Sequence, residues 1–67
     1  MLFDVYGRHH VYVDDARVPW LVDRDGKRGR LEDLVIPPDA DGDEITDLLD
    51  IAFHEMARPG DKVIRVH

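Results

Sequence analysis

The chain has 67 residues and a formal net charge of −6, and it contains no cysteine. A chain of this length forms one domain, residues 1–67, near the lower size limit for a single hydrophobic core, and no disulfide can reinforce that core. No apolar run is long enough for a signal sequence or a membrane span, so we expect a cytoplasmic protein that does not enter a membrane. A homodimer would bury more apolar surface and is compatible with so small a core.

The charge is distributed unevenly along the chain. Residues 1–31 carry five acidic and six basic side chains, residues 32–57 carry nine acidic and no basic ones, and residues 58–67 carry one acidic and three basic ones. The resulting charges of +1, −9 and +2 leave no continuous basic surface for a phosphate backbone, which disfavours nucleic-acid binding. This distribution favours a basic protein as the partner.

The N-terminal half predicts two or three antiparallel strands. LFDVYG and HHVYVDD alternate with a period of two, and we expect one long strand in which Gly7 is a bulge, with a turn as the alternative. A turn centred on Gly7 and Arg8 would often need positive φ at the arginine. Residues 14–17 predict a turn and VPWLVDR the returning strand, which Pro19 begins at an edge or an unpaired position. DRDGKRGR predicts an exposed turn or loop, or the tip of another short hairpin whose second strand is RLEDLVI.

Residues 43–57 predict one amphipathic helix. The preceding IPPDADGDE cannot form regular structure, and Asp41 and Asp43 are its candidate N-caps. An apolar stripe recurs at helical spacing: Ile45, Leu48, Leu49, Ala52 and Met56. Four polar residues lie on the opposite side: Asp43, Asp47, Asp50 and His54. The stripe should therefore face a sheet, while Ile51 lies off it, either at its margin or exposed to solvent.

A last strand is predicted in KVIRV, which is short, alternating and rich in β-branched residues. The predicted fold is therefore α+β. It consists of a small antiparallel sheet of three to four strands with one helix packed on one face, in the order β-β-(β)-α-β.

FHEMARPGD begins like the metal site of a zinc peptidase, because His54 is followed by Glu55. Such a site needs a second histidine four residues after the first, and Arg58 occupies that position. A permanently protonated guanidinium cannot ligate zinc. We therefore interpret the segment as a helix end, at which Arg58 complements the negative end of the helix dipole and Pro59-Gly60 prevents continuation.

Asp39, Asp41 and Asp43 alternate along the chain, and the twelfth position counted from Asp39 is again an aspartate. This spacing imitates a calcium-binding loop, but Glu44 replaces the glycine that the sixth position of such a loop requires. An acid-rich helix start, stabilised by the helix dipole, explains the same residues.

Catalytic groups are scarce in this sequence. It has no cysteine and no serine, and Thr46 carries the only hydroxyl besides those of the two tyrosines. The four histidines are not spaced as a cluster: His9, His10, His54 and His67. We therefore expect no enzyme and no cofactor.

Three segments, FDVYGR, LEDLVIPPD and FHEMARPGD, together resemble a family of short, uncharacterised bacterial proteins, a domain of unknown function. The resemblance covers nearly the whole chain. It implies a bacterial origin and a self-contained domain, and it supplies no activity and no site residues.

The functional hypothesis is a protein-interaction module with the role of an antitoxin, an immunity protein or an adaptor. Such a module would present an acidic helical face to a basic protein partner. The face consists of Asp43, Glu44, Asp47, Asp50 and Glu55. The alternative is a metal- or small-ligand-responsive domain that uses Asp39, Asp41 and Asp43 of the acidic loop, with His54 as a further candidate.

Overall fold

Three consecutive antiparallel pairings build most of the sheet in the computed structural model, which describes residues 1–67. The four strands before the helix are β1 (Leu2–Val5), β2 (His9–Val13), β3 (Pro19–Val22) and β4 (Arg28–Arg30). β2, β3 and β4 each pair with the strand that precedes them in the chain. Short connections of this kind produce antiparallel neighbours, as the alternating sequence predicted.

The C-terminal half adds one helix and one strand. Helix α1 (Gly42–Ala52) is followed by a single 3-10 turn (His54–Met56) and by β5 (Val63–Arg65), which pairs antiparallel with β1. The sheet has five strands in the order β4-β3-β2-β1-β5, and α1 packs over β1 and β5. The α+β prediction is confirmed, with five strands in place of the three to four expected.

The region around Gly7 is a hairpin turn and not the expected bulge. Tyr6 and Gly7 have positive φ angles of 59° and 70°, and the N–H of Arg8 donates to the carbonyl of Val5 at 3.1 Å. Two successive positive φ angles are the requirement of a type I′ hairpin turn. The expected bulge was therefore wrong. The alternative, a turn, was considered at Gly7 and Arg8, whereas the observed turn is centred one residue earlier, at Tyr6 and Gly7. This turn divides the expected long strand in two and accounts for the fifth strand.

The turn predicted over residues 14–17 is confirmed, because the N–H of Arg17 donates to the carbonyl of Asp14 at 2.9 Å. The Asp14 carboxylate accepts hydrogen bonds from the backbone N–H of Val18 at 2.9 Å and from the Trp20 indole at 3.2 Å. These bonds favour the ionised form and lower the pKa of Asp14, the Val18 N–H contributing most. Pro19 is the first residue of β3, as predicted.

The core lies between the sheet and α1. Nine apolar residues are buried there: Phe3, Val5, Tyr6, Val11, Val13, Ile36, Ala40, Ile45 and Leu49. Ile45 and Leu49 confirm the centre of the predicted apolar stripe. Leu48 is only half-buried, and Ala52 and Met56 are exposed. The buried side of α1 is therefore narrower than the stripe.

β4 precedes RLEDLVI, and residues 31–41 contain no strand. This segment leaves the sheet after a hydrogen bond from the N–H of Leu31 to the carbonyl of Pro19. It then packs Leu31, Leu34 and Ile36 against the core on the way to α1.

Helix α1 begins where the sequence predicted but ends at Ala52 instead of Ala57. Asp41 is the N-cap, and its carboxylate accepts from the N–H of Glu44 at 2.9 Å. Phe53 leaves the helical conformation at the C-cap, and its ring stacks on that of His9 at 6.1 Å between centroids.

The assignment of Arg58 to the end of the helix dipole was wrong. Helix α1 ends at Ala52, six residues before Arg58, and its last turn contains no basic residue. The Arg58 N–H instead donates to the Asp61 carboxylate at 2.7 Å. Arg8 of the β1–β2 turn donates to the carbonyl of Met56, at the end of the 3-10 turn, at 2.7 Å.

Candidate interaction surface

The predicted acidic helical face is exposed along its whole length. We use the name acidic face for five residues: Asp43, Glu44, Asp47, Asp50 and Glu55. The first four belong to α1 and Glu55 to the 3-10 turn after it. Helical spacing separates them from the buried Ile45 and Leu49, because burial of those side chains fixes which side of α1 can meet solvent.

No cation neutralises the acidic face. The chain has two ion pairs, Arg8 with Asp61 at 3.0 Å and His10 with Asp4 at 3.5 Å, and both lie outside the acidic face. The last turn of α1 contains no basic residue. The Arg65 side chain lies close to Gly42 at the helix start, but its Nε donates to the carbonyl of His67 at 3.2 Å. The carboxylates of the acidic face therefore form no ion pair within the chain.

Asp50 differs from the other four acids because it anchors the β1–β2 turn. The Tyr6 hydroxyl donates to its carboxylate at 2.6 Å and lies 3.1 Å from its carbonyl oxygen. This hydrogen bond, together with burial of the phenol, raises the pKa of Tyr6 to about 12. Ionised Tyr6 would lose its proton donor and face an anion. Asp50 therefore has a structural role in addition to its place on the surface.

Arg8 forms a second link beside Asp50. Its guanidinium donates to the Asp61 carboxylate at 3.0 Å as well as to Met56, and it lies 5.7 Å from the centroid of the Tyr6 ring. Two donors lower the pKa of Asp61 because both stabilise the carboxylate: the backbone N–H of Arg58 has the larger effect and the guanidinium of Arg8 the next. The β1–β2 turn thus holds the end of the helix and the segment that leads to β5.

An open groove of about 540 Å³ lies between residues 30–34 and the end of the helix. Its apolar lining consists of Leu31, Leu34, Ala52, Phe53 and Met56. Glu32 and Asp33 also line it, with Arg30 as the one cation. We call it the helix-end groove.

Apolar side chains of α1 continue from Ala52, which lines the groove, onto the solvent side of the helix. Leu48, Ile51 and Ala52 share a flank of the helix by their i, i+3 and i+4 spacing. Ile51 is 74% exposed, so it lies in solvent and not at the margin of the apolar stripe. It lies one turn after Asp47 in α1 and four residues before Glu55 of the 3-10 turn, so an apolar side chain stands between two acids of the acidic face.

Sequence reasoning missed the helix-end groove. The one indication of this groove in the sequence was Ile51, an apolar residue that lies off the predicted apolar stripe. The other wall depends on how residues 30–34 leave the sheet, and the expectation of a strand in RLEDLVI concealed it. Periodicity predicts the faces of single elements, whereas a groove needs the relative position of two segments.

The carboxylates of the acidic loop do not converge in the structure. No group of three or more His, Asp or Glu side chains comes together anywhere in the chain in a way that could hold a metal ion. Asp39, Asp41 and Asp43 are each exposed, and the Asp41 carboxylate is occupied as the N-cap. His54 is exposed on the 3-10 turn, while His9 stacks on Phe53 and His10 lies beside Asp4. The alternative of a metal-responsive loop therefore lacks a preformed ligand set.

None of the helices has the length and apolar character that crossing a membrane requires.

Comparison with known proteins identifies a family but no activity. Searches of curated proteins and of solved structures found no match. The family model described as Domain of unknown function (DUF7661) matches residues 1–67. This match confirms the expected resemblance to a domain of unknown function, while the bacterial origin stays a prediction. The chain belongs to the family Domain of unknown function (DUF7661).

Proposed function

We propose that the protein is an interaction module whose acidic face binds a basic protein partner, in the role of an antitoxin, an immunity protein or an adaptor. One observation carries the proposal: five exposed carboxylates on one short stretch have no cationic partner within the chain. A surface of one sign raises the rate of encounter with a partner of the opposite sign and selects against other partners.

The position of the acids also supports binding as opposed to a purely structural role. Asp41 caps the helix and Asp50 holds Tyr6, whereas Asp43, Glu44, Asp47 and Glu55 accept no side-chain hydrogen bond. Acids in the first turn do stabilise a helix through its dipole, and this accounts for Asp43 and Glu44. Asp47 lies in the middle of α1 and Glu55 in the 3-10 turn after it, so both lie beyond the first turn of α1, where this stabilisation acts. Those two charges have no role in the fold that we can identify.

The test compares two triple variants with the same change of charge. The first neutralises the acidic face with Asp43→Asn, Glu44→Gln and Asp47→Asn. The matched control neutralises three exposed acids elsewhere, Asp15→Asn, Asp25→Asn and Asp39→Asn, whose carboxylates accept no hydrogen bond. The partner is first captured with the wild-type protein, and its affinity for each variant is then measured by calorimetry.

We expect the first variant to bind the partner at least about tenfold more weakly than the control, a loss of about 1.4 kcal/mol. Wild-type affinity should also fall steeply between about 50 mM and 500 mM salt, because the Debye length shortens over that range. Equal binding by the two variants, or affinity that ignores ionic strength, would show that the acidic face is not the contact.

A further inference from the structure

We infer that the helix-end groove seats a large apolar side chain of the partner, so that the partner's contact segment is a basic amphipathic helix. This inference rests on the proposed function, because it identifies what the basic partner must carry besides charge. Two observations outside the acidic face support it: the apolar lining of the groove and the exposure of Ile51.

Charge alone would give a weak complex. Each exposed ion pair contributes little to the free energy of binding, and salt screens it. Stable interfaces instead combine an apolar centre, which excludes water, with a polar rim. The acidic face can supply the rim, and the protein needs an apolar centre beside it.

The helix-end groove has the required arrangement. Leu31, Leu34 and Phe53 are half-buried and line its floor and walls, and Met56 is 45% exposed at its side. Ile51 extends the apolar surface toward the acidic face. A large side chain entering the groove would remove much of this surface from water at about 25 cal/mol per Å².

The charges around the groove indicate which charges its occupant should carry. Glu32 and Asp33 line the groove itself. Asp47 and Glu55 lie four residues before and four residues after the exposed Ile51, next to the groove-lining Ala52. Arg30 is the one cation that lines the groove. An apolar side chain with lysine or arginine on both sides complements this pattern, and a helix can present that combination along one face.

A second exposed apolar area lies on the sheet face away from α1, and it does not share these features. Ile64 is 55% exposed and is paired in register with Asp4, whose position on β1 faces away from the buried Phe3 and Val5. Val66, 47% exposed, follows two positions later. It lies on the sheet face opposite the buried Phe3 and Val5, so it provides a control surface in the same chain.

The test uses two synthetic peptides of equal length and charge. The first is an amphipathic helix of about 14 residues with leucine along one face and lysine along the other. In the second, glutamine replaces every leucine, which keeps helix propensity and charge while removing the apolar side chains. Binding is measured by amide chemical shifts, which resolve the responding residues, and by calorimetry.

Matched double variants locate the contact. Ile51→Gln with Met56→Gln removes apolar surface at the groove, and Ile64→Gln with Val66→Gln removes it on the opposite sheet face. All four side chains are at least 45% exposed, so both variants should fold, which circular dichroism verifies. We expect the leucine peptide to bind wild type at least about tenfold more tightly than the glutamine peptide. Only the Ile51–Met56 double variant should lose this advantage.

The results separate this inference from the proposed function. If both peptides bind equally and shift only residues of the acidic face, the groove inference is overturned and the proposed function stands. A leucine advantage that survives in the Ile51–Met56 double variant also overturns the inference. If neither peptide binds at low salt, both the inference and the proposed acidic contact fail.

Discussion

Tyr6 connects a turn to a helix that lies far along the chain. It adopts a positive φ of 59°, which is costly for a residue other than glycine, while its hydroxyl bonds Asp50, 44 residues away. FDVYGR predicts a turn or a bulge at Gly7 but gives no indication that the preceding tyrosine would take a left-handed conformation. The Tyr6 hydroxyl bonds Asp50, and sequence alone does not show that Tyr6 and Asp50 come into contact. Local patterns therefore could not place this turn.

Replacement of Tyr6 by phenylalanine tests this connection. Tyr6→Phe removes the hydroxyl and should lower the midpoint of urea unfolding at neutral pH, because the Asp50 carboxylate loses its donor. The pKa of Tyr6 is raised from 10.0 to about 12 in the folded protein. A raised folded-state pKa means that the stabilisation is fully present below pH 10.0 and is lost as the pH rises toward about 12. The difference in stability between wild type and Tyr6→Phe should therefore shrink over that interval.

Ultraviolet titration of the phenols provides the independent measurement. The wild type should show a tyrosine ionisation near pH 12 that is absent in Tyr6→Phe and retained in Tyr12→Phe. Retention of this step in Tyr6→Phe, or a stability difference that persists unchanged to high pH, would contradict the assignment.

The helix and the last strand are the elements that sequence predicted best. Ile45 and Leu49 are buried, Asp41 is the N-cap, and KVIRV contains β5. Periodicity and capping depend on residues close together in the chain, so the sequence alone could predict them. The C-terminal end of α1 was predicted too late, because Pro59-Gly60 marks the last position a helix could reach. The helix ends at Ala52, and its C-cap Phe53 stacks on His9, a contact that the sequence does not show.

The orientation of α1 can be tested with a pair of alanine variants. Leu49 is fully buried, and Leu49→Ala should destabilise the protein by about 2–5 kcal/mol through lost burial and the remaining cavity. Asp47 is exposed, and Asp47→Ala should change the free energy of unfolding by no more than about 0.5 kcal/mol. Both values come from urea denaturation. An Asp47→Ala effect as large as that of Leu49→Ala would mean that the helix faces the other way.

The molecule as a whole has two different sides. One side is the acidic face with the helix-end groove, and the other is the sheet face that α1 leaves uncovered. Composition predicted the acidic side, because nine acids and no bases occur in residues 32–57. It could not predict the groove, whose walls come from residues 30–34 and from residues 52–56. Their proximity depends on the path of the connecting segment, and no local propensity describes that path.

The function proposed here depends on α1 burying Ile45 and Leu49 while its carboxylates remain in water. The most direct measurement is an isotope-edited NOE experiment on the methyl groups of α1. We predict cross-peaks from Ile45 and Leu49 to core side chains of β1 and β2, such as Phe3 and Val11, and none from Ile51 to those residues. Cross-peaks from the Ile51 methyls to Phe3 or Val11 would contradict the account, because the acidic face would then be turned toward the sheet.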